Sequence, residues 1–197
     1  LAGATFDVPF FRGSAGSIYA GWEAFTIPVG GDNAPTDPAS NTTSAFVRQT
    51  NPGAIIAGSG NLYSSFNVPN FEVGFNGSGT PVSFLVIQVR TQGLELDWDN
   101  VALDWTGFGG SGTLGATRTE LYRDVQSAPG GASFDIISRF DFDLTGALFD
   151  SFTLTLPSVN QLISLDRVEL DIGYIPTPGT GVAGLLALGA VGARRRR

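Results

Sequence analysis

The sequence of 197 residues contains no cysteine, histidine, methionine or lysine. Without cysteine or histidine there is no disulfide framework, no thiolate or Ser-His-Asp nucleophile, and no zinc or haem site of the usual ligand types. Without lysine, Schiff-base and phosphate-loop chemistry are excluded as well. Positive charge is scarce and badly spread. All 11 basic residues are arginine, and Arg194, Arg195, Arg196 and Arg197 take four of them. Over residues 1–193, seven arginines stand against all 18 acidic residues, a net charge of −11. Such a body repels nucleic-acid phosphates and anionic lipid, so no nucleic-acid partner is expected. It suits soluble life outside a cell.

What is present is glycine, proline and phenylalanine, 27, 11 and 15 residues, with 42% hydrophobic residues overall. That composition supports one domain with a sizeable core. Phe84 to Thr91 is rich in β-branched residues and meets Leu94 to Trp98 across Gln92-Gly93, which predicts a hairpin. In the segment after Ser133, Phe134, Ile136, Ser138, Phe140, Phe142 and Leu144 share one parity. Asp135, Arg139, Asp141 and Asp143 share the other, the pattern of a strand with one wet face. Phe152 to Leu156 and Val168 to Tyr174 alternate similarly, and further strands are expected in 5–11, 17–27, 45–48, 71–75 and 117–125. Many short strands punctuated by Gly, Pro, Asn and Asp predict an all-β, antiparallel two-sheet sandwich, jelly-roll-like, over residues 5–174.

A short internal repeat supports this. Trp98 to Trp105 and Leu165 to Ile172 both follow apolar, Asp, x, Val, x, Leu, Asp, apolar. In the first copy the apolar parity switches at Asp99-Asn100, which predicts a β-bulge there.

The ends of the chain read differently from its body. Ala2-Gly3-Ala4 has the small-x-small form that signal peptidases cleave, so residues 1–4 are read as the end of an export signal or an N-terminal arm. From Ile175 the chain runs Ile-Pro-Thr-Pro-Gly-Thr-Gly, then Val182 to Ala193 without a charge, then four arginines. A hydrophobic helix from Thr180 to Ala193 would be roughly 21 Å long at ~1.5 Å per residue. That is short of the ~20 residues a bilayer span needs, unless the arginines snorkel.

This tail, residues 175–197, resembles the PEP-CTERM sorting signal of exported bacterial proteins: a Pro-Glu-Pro-type motif, an apolar stretch and an Arg-rich end. Pro176 and Pro178 match the two prolines, Thr177 stands where Glu is usual, and Ile175 and Gly179 flank them. The resemblance implies transient membrane anchoring and removal of the tail by an exosortase-like processing enzyme. It implies a destination at the cell surface, in biofilm or in an extracellular matrix. No Leu-Pro-x-Thr-Gly sortase signal is present.

Candidate site residues are of two kinds. Asp97, Asp99, Asn100 and Asp104 cluster near the predicted bulge, and Asp32, Asn33 and Asp37 lie in a Gly/Pro/Asn-rich loop; such hard oxygen donors are what Ca²⁺ takes. The pairs Asp97/Asp99 and Asp141/Asp143 have the ~7 Å same-face spacing a glycosidase could use, though no reaction-specific motif accompanies them. Tyr19, Trp22, Tyr63 and Tyr122 are candidates for stacking on sugar rings, since they fall near predicted loops and edges. Residues 28–61 lack hydrophobic periodicity and read as a long loop with unpaired backbone groups and an interaction role. The resulting expectation is a non-enzymatic structural or adhesive protein of the extracellular matrix, self-assembling as a homo-oligomer or filament. The alternative is a module holding extracellular polysaccharide, with calcium as its candidate cofactor.

Overall fold

The computed structural model describes residues 5–77, 82–107, 110–128, 131–144 and 149–174. The tail motif Ile175–Gly179, the apolar stretch, Arg194–Arg197 and residues 1–4 lie outside the described residues. Among the described residues, twelve strands form two antiparallel sheets. They are β1 (Ile18–Trp22), β2 (Ala45–Gln49), β3 (Ala54–Ile56), β4 (Leu62–Ser64), β5 (Asn70–Phe75) and β6 (Phe84–Gly93). After a 3-10 turn at Trp98–Asn100 come β7 (Ala102–Gly107), β8 (Gly110–Gly115), β9 (Arg118–Ala128), β10 (Gly131–Asp143), β11 (Phe149–Pro157) and β12 (Ile163–Gly173).

One sheet has the order β3-β4-β12-β6-β10-β9, with β1 also on β12; the other has β2-β5-β11-β7-β8. Within these, β1-β12-β6-β10 and β5-β11-β7-β8 are first-eighth-third-sixth and second-seventh-fourth-fifth of eight strands, the order of a jelly roll. The all-β sandwich expected from the alternation is therefore present. Its core is where the inward parities meet: Leu85, Ile87 and Val89 of β6 and Leu170 and Ile172 of β12 cluster with Val73 and Phe75 of β5 and Leu154 and Leu156 of β11. Burying side chains of this size contributes ~1.5–3 kcal/mol each.

Four local expectations change. Gln92-Gly93 does not turn a hairpin: β6 runs through it between β12 and β10, and the chain then leaves for the 3-10 turn. Glycine is needed at 93 because a side chain there would run into the carbonyl of Leu162, and its φ is 102°. The bulge expected at Asp99-Asn100 is instead that 3-10 turn, which carries the parity switch while the chain crosses between sheets. It is the second copy of the repeat that holds a bulge, where the β12–β6 register skips Asp166. The third change is the wet face of β10. Residues 5–11 form no strand; the segment lies across the outer face of the β1-β12-β6-β10 sheet. The Asp7 backbone exchanges two 2.8 Å hydrogen bonds with the Gln88 side-chain amide, and Phe11 stacks on Phe84. Gln88, Val86 and Ile137 on that face are buried.

The stretch 28–61 is ordered, contains β2 and β3, and closes sheet edges. Along β1, Tyr19 N–H donates to the Asn41 side chain, Gly21 N–H to Ser40 Oγ, and the Tyr19 and Gly21 carbonyls accept from the Asn41, Thr36 and Asp37 amides. Along β2, Asn33 exchanges both backbone bonds with Val47, and its side-chain amide donates to the Val47 carbonyl at 3.2 Å. Its backbone groups are largely paired, contrary to the expectation of an open loop.

Candidate functional site

The outer face of the β2-β5-β11-β7-β8 sheet carries a groove of about 380 Å³. Its polar side chains come from four neighbouring strands and their ends: Asn76 after β5, Ser151 and Thr153 of β11, Asp104 and Thr106 of β7, Ser111 and Thr113 of β8. Strand alternation puts them there. Phe152 and Leu154 point into the core, so Ser151 is carried outward by the register shift after Phe149, and Thr153 by parity. The Thr106 and Ser151 hydroxyls lie 2.5 Å apart, and Thr113 donates to Asp104 at 2.5 Å. Asn76, Ser111 and Thr153 make no side-chain hydrogen bond among the described residues, which leaves donors and acceptors facing solvent. Asp104 is the one carboxylate among the described lining residues. Trp105 lies against the opposite side of Gly112, where an added Cβ would meet the indole nitrogen at 3.1 Å.

A second, charged cleft of about 400 Å³ lies where the N-terminal segment meets β1 and β12. Arg12 donates to Asp171 at 2.6 Å through Nε and to Glu169 at 2.5 Å through Nη2. The Asp171 and Glu169 side chains are 0% and 4% exposed. Burial pushes the Asp171 carboxyl above the usual range, and the Arg12 hydrogen bonds pull against it. The Arg12 guanidinium also lies 4.3 Å over the Tyr19 ring, whose hydroxyl donates to Asp37 at 2.6 Å. Burial raises the Tyr19 phenol, and the same hydroxyl holds the Asp37 carboxyl below its ordinary value. Every one of these groups is paired, so the cleft acts as a clasp for the segment.

The sequence candidates scatter. Asp97 accepts from the Asn100 side chain at 2.7 Å in the 3-10 turn, Asp99 is exposed beside them, and Asp104 stands on β7 in the groove. These four are not gathered into one ligand set, and among the described residues no three carboxylates converge in a way that could hold a metal. Asp32 pairs with Arg48 at 2.6 Å, and Asn33 and Asp37 serve the edge closures. Asp141 is bound by Arg139 at 2.7 Å, while the Asp143 side chain lies outside the described set. Trp22 is a correction: it is 0% exposed, with its indole N–H on the Asn33 carbonyl, and has no face for a sugar. Tyr19 is likewise buried under Arg12. Tyr63 and Tyr122 are half-buried on the outer face of the other sheet, on β4 and β9, ~19 Å apart across four strand spacings.

Apart from Asp104 in the groove and Tyr19 and Asp37 in the clasp, which had been singled out for other roles, the residues of both sites were missed by sequence reading. The outward threonines of Phe152-Thr-Leu-Thr-Leu were a usable signal for the groove. Arg12 had none, because its partners lie more than 150 positions away. No helix among the described residues is long and apolar enough to cross a membrane.

No protein-family profile matches the sequence, and no curated protein matches it. Among solved structures, the chain has a likeness to the enzymatically active domain of tailspike protein 4 from bacteriophage CBA120, at 11% identity and a TM-score of 0.31. The alignment covers 83% of this chain and 20% of that one. At that level the likeness carries no argument.

Proposed function

We propose that this chain is an exported, non-enzymatic structural or adhesive protein of the bacterial cell surface or extracellular matrix, and that its jelly-roll body holds neutral polysaccharide in the groove beside Asn76. The observation that carries the reading is the row of short hydroxyl and amide side chains on a rigid sheet, three of them without a partner inside the described structure. Hydroxyl-rich polymers offer complementary donors and acceptors along such a surface. The net charge of −11 over residues 1–193, with Asp104 in the groove, disfavours an acidic polymer. A single carboxylate favours binding over hydrolysis, which takes two flanking the bond. Export, transient membrane anchoring and trimming by an exosortase-like enzyme rest on the tail's resemblance to a PEP-CTERM signal and on the cysteine-free, acidic body.

Native electrophoresis of the full chain through gels containing a neutral glucan, an acidic polysaccharide or neither tests the binding. Retardation by the neutral polymer is expected, weakened at least about tenfold, ~1.4 kcal/mol, in the Asn76→Ala, Thr153→Val double variant. Equal mobility in all gels, or a double variant that binds like the parent, would overturn the reading. Intact-mass measurement of the protein from the host's extracellular fraction tests sorting: a mass ending near Pro178–Gly181 is expected, and one retaining Arg194–Arg197 contradicts processing.

A further inference from the structure

Sheet edges invite pairing with other chains, and soluble proteins blunt them with covering loops, charges, bulges or short strands. Four devices are visible here. β1 and β2 are closed by residues 30–41, and β3 is three residues long. β9 carries Arg118, Glu120, Arg123 and Asp124 and has a register shift opposite Ile137 and Ser138. β8 has none of these. It is Gly110-Ser-Gly-Thr-Leu-Gly, uncharged, regular and fully exposed, and among the described residues it pairs only with β7.

The phase of its backbone follows from one bond. Ala116 N–H donates to the Val101 carbonyl, so the hydrogen-bonded pairs of the β7–β8 ladder are Leu103 with Leu114, Trp105 with Gly112 and Gly107 with Gly110. Ser111, Thr113 and Gly115 therefore turn their N–H and C=O groups outward. We propose that this edge receives β8 of a second copy of the chain, antiparallel, about a two-fold axis at Thr113.

In that register Thr113 faces Thr113, and Ser111 faces Gly115 on both sides of the axis, so all three outward residues of each copy are paired. Threonine opposite threonine is a favourable cross-strand pair. Foreign peptides that add to an edge are selected by pockets for alternate side chains. On the inner side of β8 Trp105 covers Gly112, and on the outer side the strand contributes only the short Ser111 and Thr113 side chains to the rim of the groove, so β8 itself offers no charged or large apolar group on that face to select a foreign peptide. That favours self-pairing. The nearest carboxylate, Asp104, would stand ~14 Å from its counterpart over three strand spacings, beyond the ~8 Å screening length at physiological salt. The pairing would continue the polar face from one copy to the next, and it stands independently of what the groove binds.

The absence of cysteine makes the test clean. In the full chain, Thr113→Cys puts two thiols across the axis with Cα atoms ~5.5 Å apart, within disulfide reach. Ser111→Cys puts them ~14 Å apart. Under mild oxidation Thr113→Cys should form covalent dimer at least about tenfold faster than Ser111→Cys, a contrast that association through any other surface would not produce. Sedimentation of the cysteine-free chain should show a weak, concentration-dependent dimer, because one short edge buries far less than the ~1,600 Å² of a standard interface. Thr113→Pro, which removes an outward N–H, should abolish that dimer while the unfolding midpoint stays within a few degrees. Equal cross-linking at 111 and 113, a chain that stays monomeric, or a Thr113→Pro variant that still dimerises would each overturn the proposal.

Discussion

Arg12→Met should unfasten the N-terminal segment and weaken the whole sandwich. The substitution leaves the buried Asp171 carboxylate without its hydrogen-bonded cation and takes one of two arginines from Glu169, whose other oxygen keeps Arg167 at 2.8 Å, while Arg12 itself is 20% exposed. Removing one partner of a buried ion pair costs ~3–5 kcal/mol, and partial water access places this case near the lower end, about 3 kcal/mol. At ~2–4 °C per kcal/mol for a domain of this size, the unfolding midpoint at pH 7 should fall by roughly 6–12 °C. Tryptophan fluorescence reports it, since Trp22 is buried in the core. The pH dependence has a definite sign. Asp171 is raised in the folded state, so its contribution to stability is greatest below the ordinary aspartate value of ~3.9 and is lost as pH rises through the folded value. Without Arg12 that loss is larger, so the penalty of the variant should be full at pH 7 and shrink toward pH 4. Adding Asp171→Asn, which removes the orphaned charge, should recover at least half of it. A variant within about 1 kcal/mol of the parent at pH 7, or a penalty that ignores pH, would refute the clasp.

Other substitutions probe other parts of the fold. Thr91 is buried and its hydroxyl has no partner among the described residues, so Thr91→Val should raise the urea midpoint by the equivalent of about 1 kcal/mol; a loss of stability would reveal a hidden partner. Asn33 accepts from the Thr26 and Ile27 amides and donates to the Ile27 and Val47 carbonyls. Asn33→Ala should lower stability by about 2 kcal/mol in the same assay, and an unchanged midpoint would show that the β2 edge closes without it. Glu95 is held below the usual glutamate range by hydrogen bonds from Arg123, with Trp98 also donating. Its contribution is therefore present above ~4.3 and lost as pH falls through the folded value, so Glu95→Gln should lower stability at pH 7 but not at pH 2.

Period-two alternation made β10, β11 and β12 legible, because each has one face in the core and the pattern is local. The parity switch in the Trp98–Trp105 copy was legible for the same reason, though a 3-10 turn carries it there and the bulge lies in the Leu165–Ile172 copy, where no switch was read. What could not be read was which strands are neighbours. Gln92-Gly93 has the composition of a turn, yet Gly93 is there to let Leu162 approach from the bend before β12, nearly 70 positions later. Residues 28–61 looked featureless because side-chain bonds from Asn33, Ser40 and Asn41 to strand backbones have no period. The charges of Glu169 and Asp171 sat where a solvated face was expected; the neighbouring Arg167 pairs with Glu169, but the hydrogen-bonded cation of Asp171 is the distant Arg12. The groove was half visible: outward threonines on β11 could be counted, but β8, made of glycine and small polar residues, carried no strand signal at all.

The placement of β12 has a mechanical meaning. It is the last strand of the described body, yet it is flanked on both sides, by β6 along its whole length and by β4 and then β1 along the other. Tension entering the body at Tyr174 would be directed along this strand rather than at a frayed margin. It must shear two ladders together instead of peeling one open rung by rung. A body held from this end would give way at a rate set by rupture of the whole sheet, which is how a small domain can resist a steady pull while holding only modest equilibrium stability.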